Sequence, residues 1–179
     1  MCSSDLKLGA FGSDLGAVAC FFRQPWKTLG EQLSDEVQGG LLAQTAFYLR
    51  ALGRLAESLE PMRGCVDVAV KRGDFGNAAA GASNLSELEL TLGEVAGAVG
   101  DAEQSVTYAD RSGDAFQRGS KRETLADALH QAGRRTEAET RFREAEQIQA
   151  ENEPDYPLLY STGGFRYCDL LLEIGRAHV

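Results

Sequence analysis

Glycine recurs in this chain at an interval that leaves few folds open. Gly53, Gly93 and Gly133 stand 40 residues apart, and Gly73 and Gly113 fall halfway between them. A glycine just past a helix end supplies the left-handed backbone angles that stop the helix. The aspartates that follow Gly73 and Gly113, Asp74 and Asp114, can cap the helix that starts there and suit its N-terminal dipole. Cuts every 20 residues predict helices at 34–51, 54–72, 74–91, 94–111, 114–131, 134–151 and 156–172. Asp14–Phe22 reads as an earlier helix, broken by Arg23–Lys27, and Ser34 caps the next one.

The columns between the glycines agree with a repeat. Ser58, Ala98 and Ala138 are small, Met62, Ala102 and Phe142 are apolar, and Cys65, Ser105 and Ala145 are small again. Leu85, Leu125 and Phe165 are large and apolar. Small positions let helices approach closely, and large ones fill the space between pairs. The expected fold is all-α, an α-solenoid of antiparallel helix pairs with a 40-residue period.

One unit carries Leu125-Ala126, Leu129, Gly133, Ala138, Phe142 and Ala145 in order. That pattern resembles the tetratricopeptide repeat (TPR), with longer helices than the usual 34-residue unit, as in kinesin light chains and bacterial signalling proteins. The units beginning at Thr45-Ala46 and Leu85-Ser86 match less closely, and Arg122 stands where a large residue is typical. The resemblance implies that the first helix of each pair lines a concave binding face. It implies partner-contacting positions at Phe47, Arg50, Ser83, Glu87, Glu123, Asp127, His130 and Tyr167. Aromatic, basic and acidic groups mixed in this way suit a protein or an extended peptide. Only Arg50 is plainly basic among them, which argues against an acidic chaperone tail as the ligand.

Composition narrows the function further. The 179 residues carry a formal net charge of -9, which disfavours contact with phosphate backbones, so no nucleic-acid partner is expected. No apolar run approaches the roughly 20 residues that span a bilayer, so no membrane partner is expected either. Phosphate-loop, dinucleotide, zinc-protease and hydrolase motifs are missing from the sequence. Arg72-Gly73-Asp74 and Asp74-Phe75-Gly76 fall on a turn that the repeat already explains, and Asn84-Leu85-Ser86 falls inside an expected helix. Glu87/Glu89 and Glu137/Glu139 are spaced two apart and diverge on a helix. The reading is a non-enzymatic interaction scaffold, without metal or cofactor, in the cytoplasm. The alternative is the sensor or oligomerisation arm of a bacterial signalling ATPase or transcription regulator, binding a peptide or small molecule.

Both ends read as translated sequencing adapter. The codons GAG-ATC-GGA-AGA-GCA-CAC-GTC encode Glu173–Val179, and their complementary strand encodes Cys2–Leu6. The expected organisation is therefore a non-native segment at 1–6, a partial preceding repeat and linker at 7–33, the repeat array at 34–172 and a non-native segment at 173–179. On this reading the chain is a fragment of a larger bacterial protein, and His130 is its one native histidine. Cys65 and Cys168 are expected to be buried, and Trp26 to cover the edge of the first helix pair. An apolar stripe of Leu158, Phe165 and Leu172 on the last helix is expected to lie partly bare and to favour self-association.

Overall fold

The computed structural model describes residues 4–30 and 32–176. Met1–Ser3 and Ala177–Val179, parts of the two segments expected to be non-native, lie outside the described residues. The chain divides into two compact units, one ending at Asp74 and the other starting at Phe75.

The first unit contains α1 (Ser4–Ala19), β1 (Phe22–Gln24), β2 (Thr28–Leu29), α2 (Asp35–Ala51) and α3 (Leu55–Lys71). The expected helix at 14–22 is thus longer at its start and ends earlier. The segment expected only to break it forms a small antiparallel hairpin, Phe22 opposite Leu29 and Gln24 opposite Thr28. Pro25 presets the turn, Lys27 N–H donates to the Gln24 carbonyl at 3.1 Å, and Trp26 takes a left-handed φ of 64°. Trp26 holds that strained angle because its ring is anchored. It packs against the Leu15, Tyr48 and Leu49 cluster, and its Nε1–H donates to Glu57 at 3.3 Å. Covering this edge is the role expected of it. Ser34 caps α2, its Oγ accepting from Val37 N–H. The α2–α3 pair packs closely at Gly64, where an added Cβ would stand 3.0 Å from Leu42.

The second unit contains α4 (Phe75–Leu92), α5 (Val95–Ser112), α6 (Ala115–Gln131), α7 (Arg135–Asn152) and α8 (Ser161–Arg176). Within it α4 packs along α5 and α6 along α7 as antiparallel pairs. Asp114 caps α6, its carboxylate accepting from Gln117 N–H at 2.8 Å. The helices that follow Gly53, Gly93 and Gly133 start instead on Arg54, Glu94 and Arg134, which make no side-chain cap. Their turns rest on the backbone alone. Arg134 N–H reaches back to the Leu129 carbonyl at 2.9 Å, across Gly133 at a φ of 74°.

The core follows the columns. Ala98, Ala138, Ala102, Phe142 and Ala145 are fully buried, and Leu85 and Leu125 nearly so. Phe165, in the column of Leu85 and Leu125, does not follow them: it is 75% exposed against their 2% and 4%. The earlier two sit on helices followed by a packed partner, and no such helix follows α8 among the described residues. Cys168, one turn further on, is exposed for the same reason, contrary to expectation. Phe165 and Leu172 lie bare on α8 as expected, while Leu158, also open, precedes the helix and is not part of its stripe. Helix α8 begins at 161, not 156, because the segment with Pro154 and Pro157 turns instead of coiling, Tyr156 N–H donating to the Glu153 carbonyl at 2.9 Å around Pro154.

Candidate peptide-binding face

Residues on α6 spaced four and three apart share one stripe of the helix, and Phe116, Ser120, Glu123 and Asp127 do so. The N-terminal half of α8 lies along this stripe. At Gly163 the approach is so close that the Glu123 carboxylate occupies the place a side chain would need. Three residues further on, Arg166 reaches two helices at once. Its guanidinium pairs with Glu87 of α4 at 3.2 Å and Asp127 of α6 at 3.1 Å.

Glu123 and Lys121 complete this charged group, and both are half-buried. Burial pushes the Glu123 carboxyl above its usual range, against the pull of Arg166 and Lys121. Burial likewise pushes the Lys121 ammonium below its usual range, against the pull of Glu87 and Glu123. Glu123 is therefore a carboxylate whose burial outweighs the pull of its two neighbouring cations. It also lines a cleft of about 70 Å³ between α6 and α7, with Phe116, Gly119, Ile148 and Asn152. Phe116 is 75% exposed beside it.

Of the eight positions named from the sequence, Glu87, Glu123 and Asp127 come together here. Ser83 does not point outward. It is buried between α4 and α6, where its hydroxyl shares a 3.0 Å hydrogen bond with Thr124, because neighbouring first helices pack on one another at that column. His130 is buried too, its Nε2 lying 3.2 Å from Glu173 of α8, which also meets Arg135 at 3.0 Å. The hydrogen bond from His130 first, and then Arg135, hold the Glu173 carboxyl below its usual range. Tyr167 is a core residue, 8% exposed and stacked on Phe142. Phe47 and Arg50 are exposed in the first unit, and Phe47 has its ring edge-on to Phe11 at 5.7 Å.

Sequence reasoning missed Arg166, Lys121 and Phe116. Arg166 leaves a signal. It follows Ser86 and Ala126 in a column otherwise small and fully buried, and a long cation there needs carboxylates to receive it. Arg122, the off-pattern residue of α6, is a clamp between helices. It pairs with Asp110 of α5 at 2.9 Å and Glu144 of α7 at 3.4 Å.

Among the described residues no cluster of histidine, cysteine and carboxylate could hold a metal ion. No helix among them is long and apolar enough to cross a membrane.

No protein-family model matches the chain, and no curated protein does. Solved structures do. A Podosopora anserina protein assigned as a kinesin light chain, with nearly identical TPR-like repeats, superposes with a TM-score of 0.65 at 18% identity, covering 94% of this chain and 78% of that one. A single-substitution variant of it gives 0.69 at 16% identity, covering 94% and 77%. At this identity the likeness speaks to architecture, and the helix pairs, the glycine-terminated turns and the small–large–small columns agree with it: this chain has an all-α, TPR-like helical-repeat fold.

Proposed function

We propose that the chain is a non-catalytic interaction scaffold that holds an extended peptide or protein segment on the α4–α6–α8 face. The observation that carries this reading is Glu123. It is a half-buried carboxylate at the mouth of a cleft, with an exposed aromatic ring beside it and its nearest cations shared with Glu87 and Asp127. A lysine or arginine of a ligand laid across α6 would supply a further positive charge, and an apolar residue next to it would cover Phe116. Charge then sets the register and the ring supplies buried area.

The fold supports the same reading. Stacked helix pairs present long surfaces made of side chains from successive first helices. His130, the one described histidine, is buried against Glu173 and does not line the cleft.

Selection of displayed random peptides on the purified chain tests the proposal. The expected result is enrichment of a basic residue adjacent to an apolar one, lost when the selection is repeated on Glu123→Lys. Selection of peptides with no basic position, or equal capture by Glu123→Lys, would contradict it.

A further inference from the structure

Helix α8 is apolar on two sides. Gly163, Tyr167 and Leu170 face the core, and Ile174 packs at its edge. On another side Ser161, Phe165, Cys168 and Leu172 recur at spacings of four, three and four, and all four are exposed. Those spacings put them on a single stripe that a second helix can follow. The sizes along the stripe alternate: small, large, small, large.

We infer that this stripe pairs with the same stripe of a second copy of the chain, the two α8 helices running antiparallel about a two-fold axis. An antiparallel copy reads the stripe backwards, as large, small, large, small. Phe165 then lies over Cys168 of the other copy and Leu172 over Ser161, each pairing occurring twice by symmetry. Every level sets a large side chain against a small one, the condition for knobs to enter holes without voids or clashes. A two-fold interface requires this self-complementarity, because each residue meets its partner reciprocally. A parallel pair would set Phe165 on Phe165 and Cys168 on Cys168, so the alternation favours the antiparallel arrangement.

The flanking residues agree. In this register Asp169 stands across from Thr162, not from a second Asp169, so no like charges meet along the seam. Leu171, itself partly open, stands across from Gly164, where a small residue leaves room for it. The stripe uses one face of one helix, below the roughly 800 Å² per partner of a standard interface, so the dimer is a weak one.

Light scattering coupled to size exclusion tests this on the full chain at loading concentrations up to about 500 μM, the range in which such an interface fills. The expected result is a mass rising from 19.3 kDa toward twice that value with concentration. Phe165→Glu, at an exposed position, is expected to keep the helical circular dichroism of the parent and remain a monomer. A parent chain that stays monomeric throughout, or a dimer that survives Phe165→Glu, overturns the inference. Orientation is read separately, with the native cysteines replaced by serine and Ser161→Cys combined with Leu172→Cys. These two positions are too far apart on one helix to join within a chain, but they meet between antiparallel copies. A disulfide-linked dimer in the double variant and not in either single variant supports the register, and its absence while the parent dimerises overturns it.

Discussion

Tyr167 of α8 lies flat on Phe142 of α7, ring centroids 4.9 Å apart and planes 17° from parallel. Phe142 is fully buried and belongs to the cluster that also holds Leu125, Leu129 and Leu170. The stack therefore fastens the last described helix to the core of the second unit. Tyr167→Ala removes one ring and leaves a cavity above the other, an expected loss of about 3 kcal/mol. Tyr167→Phe keeps the stack and should cost less than about 1 kcal/mol. Urea unfolding of the two variants checks the contrast.

Arg122 gives a second handle. Its hydrogen bonds, with help from Arg118, hold the Asp110 carboxyl below its usual value of 3.8. A depressed carboxyl contributes stability that is present above its unfolded value and lost as pH falls through its folded one. Arg122→Met should remove that contribution, so the parent should lose its advantage over the variant as pH falls below about 4. Because Asp110 is half-exposed, the effect at neutral pH is modest, about 1 kcal/mol once screening is allowed for. Denaturation midpoints across acid pH test both the sign and the window.

Glu123 carries the opposite sign. Its folded value is raised from 4.5, so its contribution is most favourable below that value and worsens as pH rises through the folded one. Glu123→Gln should therefore gain on the parent as pH rises from about 4 toward neutrality, with no difference in acid. The same melts, run on this variant, show whether the two curves converge at low pH.

Two adjacent glycines separate a soft contact from a hard one. A Cβ at Gly163 would meet the end of the Glu123 side chain, which can swing aside. A Cβ at Gly164 would stand 2.5 Å from the Leu159 carbonyl oxygen, which is backbone and cannot. Gly163→Ala should cost about 1 kcal/mol or less and be relieved in the double variant with Glu123→Ala. Gly164→Ala should cost about 2 kcal/mol or more, with no relief from Glu123→Ala. A double-mutant cycle measured by urea unfolding decides.

The thiols should also sort by environment. Burial pushes Cys65 up to about 11, while Cys20 and Cys168 are exposed. At pH 8 Cys65 is almost wholly thiol, so single-cysteine chains should show it reacting with a disulfide reagent at least about 50-fold slower than Cys168. Equal rates would place Cys65 at the surface.

The glycine interval is what made the helices legible. Gly53 to Gly133 mark ends that a turn of φ above 70° requires, and the structure agrees to within about two residues there. The hairpin at Phe22–Leu29 was not legible, because its turn places a tryptophan where glycine is usual and rests on a tertiary anchor at Glu57. Columns identified the buried positions of α4 through α7 but misplaced Phe165 and Cys168, since burial there depends on a following helix and not on residue type. The charged face was half legible. Glu87, Glu123 and Asp127 follow from the repeat, whereas Arg166 acts across three helices that only the fold brings together.

The most direct test of the scaffold reading is a titration of the isotope-labelled chain with a selected basic–apolar peptide, followed by amide NMR shifts. The account predicts shifts gathered on Phe116–Asp127, Ile148–Asn152 and Gly163–Arg166, and their loss in Glu123→Lys. Shifts gathered elsewhere, or a set unchanged in Glu123→Lys, would contradict it.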